Sequence, residues 1–144
     1  MQIGRGYDQV AVGDRFESGM TMTETHIVLG AGLFGDLNPL HINETFAAGS
    51  HFHGRVAHGY LTSNVLAAQL GMIFHGTALA YVEHHVRFLA PVRAGDTLAV
   101  AWVVTAKADK PKWQGGVVTL DGTCTNQDGV VVATAEGRIL VRDA

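Results

Sequence analysis

An α+β domain, with one long helix packed on one face of an antiparallel sheet, is the fold class the sequence predicts. Three observations point to it. From about residue 77 to 142 apolar and polar residues alternate with the period of strands. From about residue 21 to 75 the pattern is helical and loop-like. The length, 144 residues, allows one domain with one sizeable core, 1–144, and not two.

Taken in order, the opening stretch Met1–Phe16 is polar and broken by glycines and charges. It offers no apolar core for a signal peptide, so none is expected. A short helix is expected over residues 24–34, with Thr21-Met22-Thr23-Glu24 as a capping box or Thr23 as the cap itself. A second short helix is expected over Pro39–Ala47, since Asn38 supplies a capping side chain and Pro39 suits the first helical position. The central helix is expected from His58 to Gly71, carrying Leu61, Val65, Leu66 and Leu70, with Gly71 as its stop.

Residues 77–90 read as a strand, with Ala80, Val82, Val86 and Phe88 on one face and Glu83, His85 and Arg87 on the other. After the turn Arg93-Ala94-Gly95-Asp96 comes a strand Thr97–Ala106 with Leu98, Val100, Trp102 and Val104 in phase. Lys107–Gln114 reads as a polar hairpin loop. Val117–Thr125 places Val118, Leu120 and Cys124 inward, and Asp128-Gly129 is a two-residue hairpin signal. The last strand, Val130–Val141, puts Val131, Ala133, Ala135, Gly137, Ile139 and Val141 on one face. These are mostly small residues, as a sheet needs where a helix lies close.

Composition excludes several function classes. A hydrophobic fraction of 47% with 16% charged residues belongs to a globular chain, not a disordered one. The net charge of −3 gives no basic excess for nucleic acid. Val56–Tyr81, the most apolar long stretch, is interrupted by His58, Asn64, Gln69 and His75, so no membrane span is expected. The single cysteine, Cys124, cannot close an internal disulfide; it reads as a core residue and suits a reducing, cytoplasmic location.

The chemistry is concentrated in Phe34-Gly35-Asp36-Leu37-Asn38-Pro39-Leu40-His41. His41 falls in the first turn after the Asn-Pro cap, where the positive helix end disfavours imidazolium. Asp36 stands five positions earlier, across a tight bend, so the two side chains can converge on one water molecule as a general base. Gly54-Arg55-Val56-Ala57-His58-Gly59-Tyr60-Leu61 opens the central helix. A glycine there presents a bare N–H that can receive a developing oxyanion.

These two segments, with Val12-Gly13-Asp14 upstream and Val86-Arg87-Phe88-Leu89-Ala90-Pro91-Val92-Arg93-Ala94-Gly95-Asp96-Thr97 downstream, closely resemble the hydratase motif of MaoC-like proteins and (R)-specific enoyl-CoA hydratases. The resemblance spans most of the chain. It implies a single hot-dog domain, a curled antiparallel sheet wrapped around a long central helix. It also implies a homodimer or dimer of dimers with active sites near the subunit interface. By the same resemblance the enzyme is a hydro-lyase. Asp36 and His41 hold and deprotonate water, which adds to C3 of a trans-2-enoyl thioester, and the Gly59 N–H polarises the thioester carbonyl. Asn38, His58, Tyr60 and Ser63 are expected to support the pair or line the substrate. The partner is a small acyl thioester, with no nucleic acid and no membrane. No cofactor and no metal are implied, since coenzyme A or an acyl-carrier pantetheine belongs to the substrate.

The chain departs from the family pattern at Tyr60 and at the polar Thr62-Ser63-Asn64. Tyr60 is expected to narrow the acyl tunnel and to favour short or polar chains. Two alternative functions share the substrate class. A hot-dog thioesterase uses a carboxylate on the central helix, and Tyr60–Leu70 has neither Asp nor Glu. A non-catalytic acyl-thioester binding subunit of a heteromer has no need of the Asp36, His41 and Gly59 set. His51, His53 and His58 invite a zinc reading, but no cysteine or carboxylate in sequence completes them. Lys107, Lys110 and Lys112 read as a solvated hairpin rather than a phosphate clamp.

Overall fold

A computed structural model describes residues 3–144. Five antiparallel strands form one sheet: β1 (Arg15–Thr21), β2 (Ala78–Phe88), β3 (Thr97–Lys110), β4 (Gly115–Thr125) and β5 (Val131–Arg142). Their spatial order is β1-β3-β4-β5-β2, so β1 and β2 are the two edges. The long helix α4 (Gly59–Ile73) lies against the sheet, preceded by α1 (Glu24–Phe34), α2 (Pro39–Ile42) and α3 (Glu44–Ala48).

The core forms where α4 meets the sheet. Leu66 and Leu70 of α4, Leu98, Trp102, Val118, Leu120, Cys124 and Val141 are fully buried. The Trp102 indole N–H donates to the Leu66 carbonyl at 3.0 Å, fastening the middle of β3 to the helix. Glycines set the spacing. A Cβ on Gly137 would stand 2.7 Å from Leu70 Cδ1, and one on Gly122 would stand 2.8 Å from the Trp102 ring. The small residues of β5 are therefore what lets a helix lie this close.

Several expectations shift by a turn or a phase. The first helix takes the Thr23 register: Thr23 caps it, and the Thr23 N–H donates to His26 Nδ1 at 2.9 Å. The expected helix Pro39–Ala47 is instead two short helices, because Asn43 caps a new start, its Oδ1 accepting the Phe46 N–H at 2.9 Å. The central helix begins at Gly59 with His58 as its cap and runs past Gly71 to Ile73, turning off at Phe74. Gly71 needs no special backbone there; the left-handed glycine is Gly76, at φ 77°.

The strands also run differently from their sequence boundaries. β1 carries no alternation in Arg15–Thr21 and was not expected; it is an exposed edge held by its ladder to β3. The polar stretch Lys107–Gln114 is mostly strand, and the turn shrinks to a single 3₁₀ turn, Pro111–Trp113. Around Asp128-Gly129 the connection between the strands is residues 126–130, and the Asn126 N–H closes it on the Val130 carbonyl at 2.9 Å. A register shift next to it turns Val131 outward and buries Val132 in its place. In β2, shifts between Ala78 and Ala80 and between Tyr81 and Glu83 leave Val82 half exposed, while Val86 keeps its inward phase. Among the described residues no helix is long and apolar enough to cross a membrane.

Candidate active site

The bend between α1 and α2 places the two expected residues. α1 ends at Gly35, whose left-handed backbone (φ 72°) turns the chain. Asp36 follows, its Oδ1 accepting the Asn38 N–H at 3.2 Å, and Asn38 in turn caps α2 by accepting the Leu40 N–H at 3.0 Å. Pro39 sits at the first helical position. His41 then falls on the inner side of α2 with its Nδ1–H donating to the Val56 carbonyl at 2.7 Å. A carbonyl only accepts, so a neutral His41 carries its lone pair on Nε2. That nitrogen stands 3.9 Å from Asp36 Oδ2. One water can hydrogen-bond to both. Since α2 is only one turn long, the Val56 hydrogen bond, not a helix dipole, fixes the working form of His41.

His58 lies directly behind the pair. It is 1% exposed, its Nε2–H donates to the Asp36 carbonyl at 3.0 Å, and its ring stacks on that of His41 at 3.8 Å between centroids. His58 thus ties the start of α4 to the bend and holds Asp36 by its backbone. Gly59, the first residue of α4, has an N–H with no acceptor inside its helix. The Phe88 ring lies over it, so that a Cβ at Gly59 would stand 3.1 Å from Phe88 Cζ. His41, Gly59, Thr62, Phe52, Phe88 and Leu89 share the wall of an open cavity of about 410 Å³. A larger groove of about 750 Å³ on the other face of the sheet, around Arg87, Asp121 and Glu136, lies away from the pair. It has no comparable set of converging groups.

Two of the expected residues lie elsewhere. Tyr60 is 70% exposed and does not line the cavity, because at the second position of α4 it points away from the sheet. Ser63 does not line it either; its hydroxyl pairs with His84 Nε2 at 2.9 Å, and His84 Nδ1 pairs with the Tyr81 hydroxyl at 2.8 Å. His84 itself went unnoticed in the sequence, although it shares the even-numbered phase of Val86 and Phe88. Burial lowers its pKa from the ordinary imidazole value.

Two arginines that sequence reasoning passed over brace the site. Arg93 donates to the backbone carbonyls of Arg55, at 3.1 Å, and of Phe52. Arg55 bridges Glu24 of α1 at 2.6 Å and Glu44 of α3 at 2.7 Å. The signal available was the Arg-Ala-Gly-Asp turn, which fixes Arg93 through the Asp96 carboxylate on its N–H at 2.8 Å. His51 and His53 sit on the loop beside Phe52, both exposed. Lys107 donates to the Tyr7 and Val10 carbonyls, each at 2.7 Å, and so fastens the N-terminal segment. Cys124 is buried, which pushes its thiol up to about 11 and leaves it a core residue.

The model of the MaoC-like domain family matches residues 9–125. The chain is 36% identical over 135 residues to an (R)-specific enoyl-CoA hydratase of Rhodospirillum rubrum, covering 94% of this chain and 90% of that one. It superposes on an unliganded R-hydratase of Pseudomonas aeruginosa with a TM-score of 0.86 at 30% identity, over 98% of this chain and 88% of that one. A Mycobacterium tuberculosis protein described as having a double hot-dog fold matches with a TM-score of 0.85 at 20% identity, over 98% of this chain and 45% of that one, a likeness of fold alone.

Proposed function

The chain belongs to the MaoC-like domain family and has its hot-dog fold, and from that premise we propose that Asp36 and His41 catalyse reversible hydration of trans-2-enoyl thioesters to (3R)-3-hydroxyacyl thioesters. The observation that carries this reading is the approach of Asp36 Oδ2 and the lone-pair-bearing His41 Nε2 to 3.9 Å beside the free Gly59 N–H.

In the hydration direction a water molecule donates one hydrogen bond to Asp36 and one to His41 Nε2. Its own lone pair is left for C3 of the substrate. As the C–O bond forms, the pair takes up the proton and charge moves through C2 to the thioester oxygen. The Gly59 N–H meets that charge with a dipole already oriented for it. Return of the proton to C2 completes the addition, and dehydration runs the same steps in reverse. Asn38 and His58 position Asp36, one through the side-chain oxygen and one through the backbone carbonyl. No resident cofactor is required; coenzyme A or an acyl-carrier pantetheine arrives with the acyl group. The thioesterase alternative finds no support in α4, which has no carboxylate to act as base.

A homodimer, or a dimer of dimers, in the cytoplasm is the working form. Support comes from the free edge of β2, which leaves Leu79, Tyr81 and Val82 between 41% and 50% exposed. Sedimentation should return at least twice the chain mass, with Val82→Lys shifted toward monomer; a wild-type monomer would refute this form.

Loss of the ultraviolet absorbance of crotonyl-CoA, without release of free thiol, tests the reaction. Asp36→Asn should abolish that loss while the protein remains folded. Thiol release from a saturated acyl-CoA would instead make the protein a thioesterase.

A further inference from the structure

We propose that Asp36, His41 and His58 form a binding site for a divalent cation of the zinc class, and that such an ion shuts the enzyme by occupying its catalytic pair. The inhibitory half of this inference rests on the function read above; the binding half does not.

Each of the three residues offers one ligand atom, and the three atoms lie within 4.8 Å of one another. Ligands about 2.0–2.2 Å from a tetrahedral zinc ion stand about 3.3–3.6 Å apart. Asp36 Oδ2 and His41 Nε2 are already at 3.9 Å, and Oδ2 of the 41% exposed Asp36 side chain can close on an ion while Oδ1 keeps the Asn38 N–H. Two imidazoles and one carboxylate make a donor set that zinc accepts, with a fourth position left for water. Magnesium and calcium want six or more oxygen ligands and do not fit it.

The imidazoles are also held as metal-binding histidines are. Each donates one ring N–H to a backbone carbonyl, His41 to Val56 at 2.7 Å and His58 to Asp36 at 3.0 Å. Such a bond fixes the tautomer and leaves the lone pair on the other nitrogen. In His41 that nitrogen faces the carboxylate. In His58 it is Nδ1, which is buried and has no hydrogen-bond partner. His58 holds the Asp36 carbonyl through Nε2, so its Nδ1 lone pair serves no part of the dyad, whereas a cation would use it. The histidines most conspicuous in sequence, His51 and His53, take no part; His58 belongs to a set whose carboxylate lies 22 positions away.

Occupation of the site has a plain chemical consequence. The ion takes the lone pair of His41 Nε2 and the charge of Asp36 together, so neither is left to accept a proton from water. Hydration should fall in proportion to occupancy.

The test uses untagged full-length protein freed of metal with a chelator. Cobalt(II) is the probe, because its visible absorption reports low-coordinate nitrogen and oxygen ligation without reference to activity. One equivalent should produce those bands, and zinc should abolish them. Crotonyl-CoA hydration should fall at least tenfold at saturating zinc and return with chelator. His58→Gln keeps an N–H for the Asp36 carbonyl but lacks the second ring nitrogen, and should bind cobalt at least tenfold more weakly. Asp36→Asn, which replaces the charged ligand by a poor one, should do the same and covers the case in which His58→Gln fails to fold. The double variant His51→Ala, His53→Ala should bind as wild type. Absence of bands at millimolar cobalt, or their loss only in the double variant, would overturn the site. Zinc binding that left hydration intact or raised it would overturn the inhibition. Metal-free protein inactive on crotonyl-CoA would count against the hydratase reading, while the cobalt spectra would still decide the site.

Discussion

Strands β3, β4 and β5 and the bend from Gly35 to His58 are built on different principles. In the strands, Leu98, Val100, Trp102, Val104, Val118, Leu120, Cys124, Ala133, Ile139 and Val141 are at most 1% exposed, and their cohesion is shared among them. In the bend the fastening is by single hydrogen bonds to named atoms: His41 to Val56, His58 to Asp36, Arg93 to Arg55 and Phe52. Burial is non-directional and tolerates a lost contact by sharing it. A hydrogen bond to one carbonyl holds one geometry, and its loss is felt as position. Damage to the sheet should therefore appear as lost stability, and damage to the bend as lost rate.

The largest effect belongs to His41→Ala. Removal of a general base costs about 10²–10⁴-fold in rate. The lost Val56 hydrogen bond costs only about 1 kcal/mol of stability. Turnover of crotonyl-CoA and thermal melting, measured on the same preparation, check the two halves. A variant that melted far below wild type would break the comparison, because it would make the bend part of the folding core.

Trp102→Phe is the converse. It removes the indole bond to the Leu66 carbonyl and the volume packed on Gly122 and Gly137, and should cost about 1–3 kcal/mol. Activity per folded molecule should stay within about twofold, since each kcal/mol lost here changes the folded fraction and not the site. Denaturant titration with single-turnover assays separates these quantities. A loss of rate like that of His41→Ala would show that the sheet transmits strain to the bend.

Arg93→Met lies between the two. Its guanidinium leaves the turn after β2 and holds two carbonyls of the loop that carries Phe52 into the cavity. Loss of charge-assisted bonds worth about 1–3 kcal/mol should lower kcat/KM about tenfold and stability by a similar free energy. Arg93→Lys, a point charge without the fork, should recover stability better than rate. Equal recovery of both would mean that the loop geometry does not matter to catalysis.

The same division decides what could be read in the sequence. Alternation marked Leu98 through Val104 and Val118 through Cys124 correctly because every second residue of those two stretches is buried. It failed in β2, where two register shifts change the phase, and at Val131, where one more does; bulges leave no hydropathy signature. β1 was invisible because an exposed edge needs no apolar face. In the bend, Asp36, Asn38 and His41 were legible because capping is local chemistry within four residues. His58 was placed near the site through the motif, but its bond to the Asp36 carbonyl spans 22 residues and no local pattern encodes it. Arg93 is 38 residues from the carbonyl of Arg55 and was missed for the same reason.

The smallest predicted effect concerns His84, which joins the two regimes: it sits on β2, yet bonds to Ser63 of α4 and to Tyr81. Burial is the main cause that lowers its pKa, opposed by the hydrogen bond with Ser63 and reinforced by neighbouring His85. The folded chain thus holds this proton less tightly than the unfolded chain. Stability from the neutral ring is full above the unfolded value of about 6.5 and is lost as pH falls through it toward the folded value. Both oxygens beside the ring can accept a hydrogen bond, so protonation is opposed by burial and not by a clash of donors, and the penalty is modest. His84→Gln, which does not titrate, should lose less melting temperature than wild type between about pH 7 and 5, while the pH dependence of hydration stays that of the wild type. A changed rate profile with unchanged melting would put His84 in the reaction; equal melting slopes would mean that its burial costs the folded state no measurable proton affinity.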